Sequence, residues 1–153
     1  MQQQEKRETI TQVVVFRLGN ELYGADIAMV PSVTPVQRVT RVPRTPPYIV
    51  GVTNLRGRVI PVVDLRACLG LPLTASTKAT RIAVAELDGG QVGMIVDSVQ
   101  EVLRISSENI EPPSPMMSKV EAEYVLGVAK ADDRLIILLD LARVLARDDR
   151  KVV

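Results

Sequence analysis

The feature that most constrains this chain is an internal repeat. Residues 48–65, YIVGVTNLRGRVIPVVDL, lie over residues 124–141, YVLGVAKADDRLIILLDL, at an offset of 76. Identities fall at Tyr48/Tyr124, Gly51/Gly127, Val52/Val128, Arg58/Arg134, Ile60/Ile136, Asp64/Asp140 and Leu65/Leu141, and most other positions exchange one aliphatic residue for another. Upstream, an offset of 69 pairs Val13 with Ile82, Leu18 with Leu87, Gly24 with Gly93, Val30 with Val99 and Val33 with Val102. Matches in one order along the chain mean one supersecondary unit built twice. Two copies of a five-stranded unit are therefore expected, near 13–70 and 81–146.

Local patterns fill in that unit. Val13–Leu18 and Leu22–Ile27 read as strands turned at Gly19-Asn20. Ala28–Val39 is extended but interrupted by Pro31 and Pro35, and Arg41–Pro47 is a proline-rich connector. Tyr48–Val52 and Val59–Val63 flank Asn54-Leu55-Arg56-Gly57 as an antiparallel pair, in which Pro61 calls for a sheet edge or a bulge. Asp64 is placed to cap a helix over Leu65–Leu69, with Gly70 ending it. Leu71–Thr80 is small, polar and turn-rich, as a boundary between lobes should be. The second half restarts with strands Arg81–Leu87 and Gln91–Val96 around Asp88-Gly89-Gly90, then a bent strand over Asp97–Arg104 and a loop over Ser106–Pro115. Tyr124–Val128 and Arg134–Leu139 close it, and Asp140 caps Leu141–Ala146. Five short strands are few for an open sheet, so each copy is expected to curl into a small barrel. Ile49, Val62, Val125, Ile137 and Leu139 would supply a core shared between the two. The expected organisation is a flexible tail over 1–12, a first lobe over 13–80 and a second over 81–153.

Composition excludes several classes. Nineteen basic and eighteen acidic residues leave a net charge of +1, without the basic excess of a dedicated nucleic-acid binder. The chain has no histidine, so the commonest neutral-pH acid–base group and metal ligand is missing. No Gly-rich phosphate loop or catalytic constellation is recognisable, and no cofactor or metal is expected. The polar N-terminus lacks an apolar segment of the signal-peptide kind, and no apolar run reaches the roughly 18 residues of a membrane span. The one cysteine, Cys68, cannot form an internal disulfide, which suits the cytoplasm; on a short helix it reads as a buried small hydrophobe.

The two copies differ most at Asn54-Leu55-Arg56-Gly57, which becomes Lys130-Ala131-Asp132-Asp133. Leu55 offers an apolar knob and Arg56 a planar bidentate donor, a combination suited to a protein contact. The second copy is also seven residues longer within 100–123, where Met116 and Met117 follow a stiff proline run and offer an adaptable contact. Asp64 and Asp140 read as helix caps, and Gly51 and Gly127 as sites of close strand packing.

The run GVTNLRGRVIPVVDLR, the YG-ADI hairpin before it, GMIVDSVQEVL, and the closing YVLGV and RLIILLDL strongly resemble the CheW family of bacterial chemotaxis coupling proteins, over about Thr11 to Leu145. The resemblance implies a mostly β fold of two five-stranded SH3-like barrels with a common core. It implies a non-catalytic scaffold in the cytoplasm, recruited to receptor arrays and joining chemoreceptor cytoplasmic hairpins to the regulatory domain of the histidine kinase CheA. Carried over position by position, the receptor-binding candidates are Val30, Ser32, Gly51, Arg56, Ile82, Val99 and Val102, with Asn54, Leu55 and Gly57 from the same loop. Met116 and Met117 are the kinase-binding candidates. The family commonly has glutamate at the position of Ser32, able to pair with the arginine matching Arg56; serine cannot. The alternative is a small β-barrel that binds single-stranded nucleic acid. That function needs stacking aromatics and a basic groove, whereas the chain has only Phe16, Tyr23, Tyr48 and Tyr124.

Overall fold

Alternation within the apolar runs decides where each strand is buried. In β1 (Ile10–Leu18), Val13 and Val15 enter one cluster while Val14, Phe16 and Leu18 enter another. A strand with both faces covered has no polar alternation, which is why VVVFRL reads as a continuous run. The computed structural model describes residues 9–113 and 123–151. Its further strands are β2 (Glu21–Asp26), β3 (Ser32–Pro35), β4 (Ile49–Leu55), β5 (Arg58–Asp64), β6 (Arg81–Leu87), β7 (Gly90–Val96), β8 (Ser98–Ser106), β9 (Ile110–Glu111), β10 (Val125–Ala131) and β11 (Arg134–Leu139). The helices are α1 (Leu65–Cys68) and α2 (Leu141–Lys151).

The strands form a six-stranded sheet ordered β8-β1-β2-β11-β10-β9 and a five-stranded sheet ordered β3-β6-β7-β5-β4. The sheets do not divide at the 71–80 connector. The first hairpin of each half joins the sheet of the other half, so the expected lobes 13–80 and 81–153 are interleaved. Strands of the two halves meet at four pairs, β1 with β8 and β3 with β6 antiparallel, β5 with β7 and β11 with β2 parallel. Their registers obey the repeat: Val62 opposite Gly93 becomes Leu138 opposite Gly24 at the two offsets. Likewise Val15 opposite Glu101 matches Val84 opposite Ser32, and Thr53 opposite Ile60 matches Ala129 opposite Ile136. The sixth strand is a small difference, since β9 pairs with β10 where the first copy has only the bridge Thr40–Val52.

The exchange of hairpins explains the shared core. Its cluster combines Val14, Phe16, Leu18, Val63 and Leu65 from the first half with Met94, Val96, Leu139, Leu141 and Val144 from the second. Ile49 and Ile137 pack against it, Val62 is fully buried and Val125 is half-buried. Each buried side chain of this size contributes about 1.5–3 kcal/mol. Two smaller clusters fill the sheets themselves, one around Val13, Val15, Ile105 and Ile136, the other around Leu55, Ile60, Ile82 and Val84. The ion pair between Arg134 on β11 and Glu101 on β8 spans strands separated in the sheet by β1 and β2, so that sheet curls back on itself.

Both caps are made. Asp64 Oδ1 accepts from the Arg66 backbone N–H at 3.0 Å, and Asp140 Oδ1 from that of Arg143 at 3.2 Å. In each copy the capping residue's own N–H donates to a tyrosine carbonyl, Tyr48 at 2.9 Å and Tyr124 at 2.8 Å. α1 is one residue shorter than expected, and α2 runs on to Lys151. In α2, Leu141, Val144 and Leu145 form the buried stripe. Cys68 is buried.

Three local expectations change. β5 is neither an edge nor bulged at Pro61; the register shift lies in β4, between Ile49 and Gly51. Val52 directs both its N–H and its carbonyl to Thr40, at 2.9 and 2.8 Å, so no bond crosses from Val52 to Pro61 and the missing N–H costs nothing there. Residues 28–39 are a single turn of 3-10 helix (Ile27–Met29), capped by Asp26, followed by the short β3. The loop expected from Ser106 contains a similar turn, Ser107–Asn109, and then β9.

Candidate functional site

The β4–β5 hairpin is closed by a tight turn. Strand pairing runs to Leu55 opposite Arg58, leaving Arg56 and Gly57 as a two-residue turn. Their φ values, 52° and 85°, are both positive, as the mirror-image turns that match strand twist require. Asn54 Oδ1 accepts from the Gly57 N–H at 2.9 Å and braces the turn. Arginine has a Cβ and is held in the left-handed region at a cost of roughly 1–2 kcal/mol. The second copy has Asp132 at the same place with φ 56°. The strained backbone therefore belongs to the scaffold, and the exposed guanidinium is what distinguishes the first copy.

The remaining candidates fall into three groups. Asn54, Arg56 and Gly57 are exposed at the hairpin tip, and Ser32 is half-buried at the start of edge strand β3. Leu55 is not the exposed knob expected from the sequence: it is 9% exposed and packs with Ile60, Ile82 and Val84, because its position on β4 faces the interior of the sheet. Ile82 lies in the same cluster, Val30 is in the shared core, and Gly51 is buried under Thr40. These four are buried. On the other sheet, Val99 is half-buried opposite Phe16, while Val102 is 47% exposed on β8. Val33, its counterpart at the offset of 69, is exposed on β3, so both copies present an aliphatic side chain on an edge strand. Met116 and Met117 lie outside the described residues.

The repeat also reassigns the partner expected for Ser32. Glu101 and Arg134, an ion pair at 2.7 Å, correspond to Ser32 and Arg58 in the first copy. By the repeat, a glutamate at 32 is expected to meet Arg58 as Glu101 meets Arg134. Restoring it by Ser32→Glu is expected to stabilise the protein by about 0.5 kcal/mol in urea unfolding, the scale of an exposed pair. The gain should vanish in an Arg58→Ala background and survive in Arg56→Ala.

One polar group has no local sequence signature. Arg66, on α1, is nearly buried and grips Asp97 at the β7–β8 junction through Nη2–Oδ2 at 2.5 Å and Nε–Oδ1 at 3.0 Å. Arg66 Nη1 also donates to the Pro72 carbonyl at 2.7 Å, and Asp97 accepts from the Gly19 N–H at 2.7 Å. Hydrogen bonding from Arg66 holds the Asp97 carboxyl below its ordinary value against the opposing effect of burial. Asp64 alongside is pushed up, chiefly by burial, with the Arg66 backbone N–H opposing. The positions equivalent to Arg66 and Asp97 are Ala142 and Ala28. A charge of each sign present in one copy only was the available signal. Among the described residues, no group of histidine, cysteine or carboxylate side chains is arranged to hold a metal. No described helix is long and apolar enough to cross a membrane.

The family model for the CheW-like domain matches residues 12–149, almost the whole chain. This chain belongs to the CheW-like family. The chemotaxis protein CheW of Klebsiella aerogenes is 35% identical over 147 residues, covering 95% of this chain and 89% of that protein. The Helicobacter pylori CheW is 34% identical over 146 residues, covering 95% and 87%. The solved scaffolding protein TtCheW from Thermoanaerobacter tengcongensis superposes with a TM-score of 0.79 at 41% identity, over 86% of this chain and 90% of its own. CheW-like membership agrees with the two-sheet fold and with paired SH3-like units.

Proposed function

We propose that this protein is a non-catalytic adaptor that couples chemoreceptor cytoplasmic hairpins to the histidine kinase CheA in the cytoplasm. The observation that carries this reading is the near-complete match to the CheW-like family, together with similarity over 86% of the chain to a solved scaffolding protein. Binding alone suffices as mechanism, since holding kinase and receptor together raises the effective concentration of one at the other. The receptor is met at the β4–β5 hairpin and the adjoining edge strand, with Arg56, Asn54, Gly57 and Ser32 as touching residues and Val102 and Val99 extending the surface on the other sheet. Gly51, Val30, Leu55 and Ile82 support its shape.

Arg56→Glu is the direct test. Its side chain is exposed and forms no ion pair among the described residues, so the melting temperature should stay within about a degree while receptor-hairpin affinity falls about tenfold or more. Unchanged binding of purified receptor hairpin by this variant would show that the contact lies elsewhere. Unchanged kinase binding alongside lost receptor binding would separate the two faces of the adaptor.

A further inference from the structure

Charge is distributed unevenly along the chain. Between Ile27 and Arg81 there are seven basic side chains and one acidic, Asp64, although the whole chain carries only +1. Arg66 is neutralised by Asp97. Arg38, Arg41, Arg44, Arg56 and Arg58 are exposed, and none forms an ion pair among the described residues. Crowded like charges repel and weaken the folded state, so a concentration of them points to something outside the chain that answers it.

The fold gives part of this charge a shaped setting. The Thr40–Val52 backbone bonds lay the segment before Thr40 beside β4, and the Arg38 carbonyl accepts from the buried Thr53 hydroxyl at 2.7 Å. A cleft of about 360 Å3 opens there, lined by Arg38, Gln37, Asn54 and Val59 among others. Val59 is 69% exposed and Val36, beside Gln37, is exposed too, so the cation stands among aliphatic side chains. The second copy answers its own charge at this edge. Glu111, which meets Val128 as Thr40 meets Val52, pairs with Lys130, the counterpart of Asn54, at 2.5 Å.

We propose that this cleft docks an acidic, amphipathic segment of the receptor hairpin, with Arg38 receiving a carboxylate and Val59 an aliphatic neighbour. The inference rests on the adaptor reading and adds the chemistry of its contact. A guanidinium fork matches a carboxylate in two parallel hydrogen bonds. The cleft has no aromatic lining on which a base could stack. It is continuous with the hairpin carrying Arg56 through Asn54 and Val59.

The test uses the full chain and its Arg38→Gln and Arg38→Glu variants, titrated with purified receptor hairpin, phosphatidylserine vesicles and single-stranded oligonucleotide over a salt series. Arg38→Gln should weaken hairpin binding about threefold and Arg38→Glu about tenfold or more, both with a shallower salt dependence. Both variants should melt with the wild type. If the wild type binds hairpin and Arg38→Glu binds it equally well, the cleft proposal fails and the adaptor reading stands. If Arg38→Glu loses only vesicle or oligonucleotide binding, the surface belongs to a membrane or a nucleic acid and the proposal fails. If the wild type does not bind the hairpin, both fail together.

Discussion

Replacing Gly51 by alanine is expected to destabilise the protein by about 3 kcal/mol, through the overlap of a new Cβ with backbone. At Gly51 the Cβ would overlap the Thr40 carbonyl oxygen and stand 2.8 Å from its carbonyl carbon. Neither atom is the end of a flexible side chain, so the 37–40 segment must move as a unit. Moving it breaks the reciprocal Thr40–Val52 hydrogen bonds, at 2.8 and 2.9 Å, in a region with no neighbouring strand to compensate. The φ of 157° adds a conformation that residues with a Cβ seldom adopt. Gly127 faces the same obstacle, with the Glu111 carbonyl oxygen 2.6 Å from a Cβ, so Gly127→Ala should be costly too, by a smaller margin. Urea unfolding of the three proteins decides the matter, and a loss below about 1 kcal/mol for Gly51→Ala would show that the edge segment yields freely. Since the same segment carries Arg38, any loss of receptor binding in Gly51→Ala reports a displaced strand rather than a lost contact with glycine.

Much of this architecture could be read from the repeat, because backbone register and the need for a cap act on sequence locally. Asp64 and Asp140 cap in both copies, and the offsets of 76 and 69 reproduce the strand registers. What the offsets could not show is which sheet each hairpin enters. β1–β2 pairs identically within itself whichever sheet it joins, and the exchange is recorded in long-range pairing alone: β1 with β8, β3 with β6, β2 with β11 and β5 with β7. Leu55 lies inward for a related reason. An Asn-Leu-Arg-Gly string has the composition of a loop, yet the turn needs only Arg56 and Gly57, and period-two alternation then carries Leu55 inward. The Arg66–Asp97 contact joins residues 31 apart on elements that no local pattern links. The cationic cleft depends on Thr40 lying against Val52, which again is long-range pairing.

Breaking the Arg66–Asp97 pair is expected to be the costliest change among the polar groups. Arg66 has 10% of its side chain exposed and Asp97 29%, so either one left alone is a mostly desolvated charge. Removing one partner of such a pair costs about 2–3 kcal/mol, somewhat less than for a fully buried pair. Arg66→Met and Asp97→Asn should each approach that loss. The double variant should lose clearly less than the sum of the two, giving a coupling energy above about 1 kcal/mol in a double-mutant cycle. Additive losses would mean that the guanidinium matters only through the Pro72 carbonyl and its packing. The pair also has a pH signature. Asp97 is held below its ordinary value of 3.8, first by the hydrogen bond from Arg66, so its stabilisation is complete above 3.8 and is lost as pH falls through the lowered folded value. Asp64 acts in the opposite sense: burial raises it, so ionisation opposes folding, and acidification through the raised value relieves that penalty. Stability should therefore rise slightly on mild acidification and fall once Asp97 is protonated. In Asp97→Asn the final fall should be shallower. In Asp64→Asn the initial rise should disappear while the acid limb persists, which assigns each limb to one carboxylate.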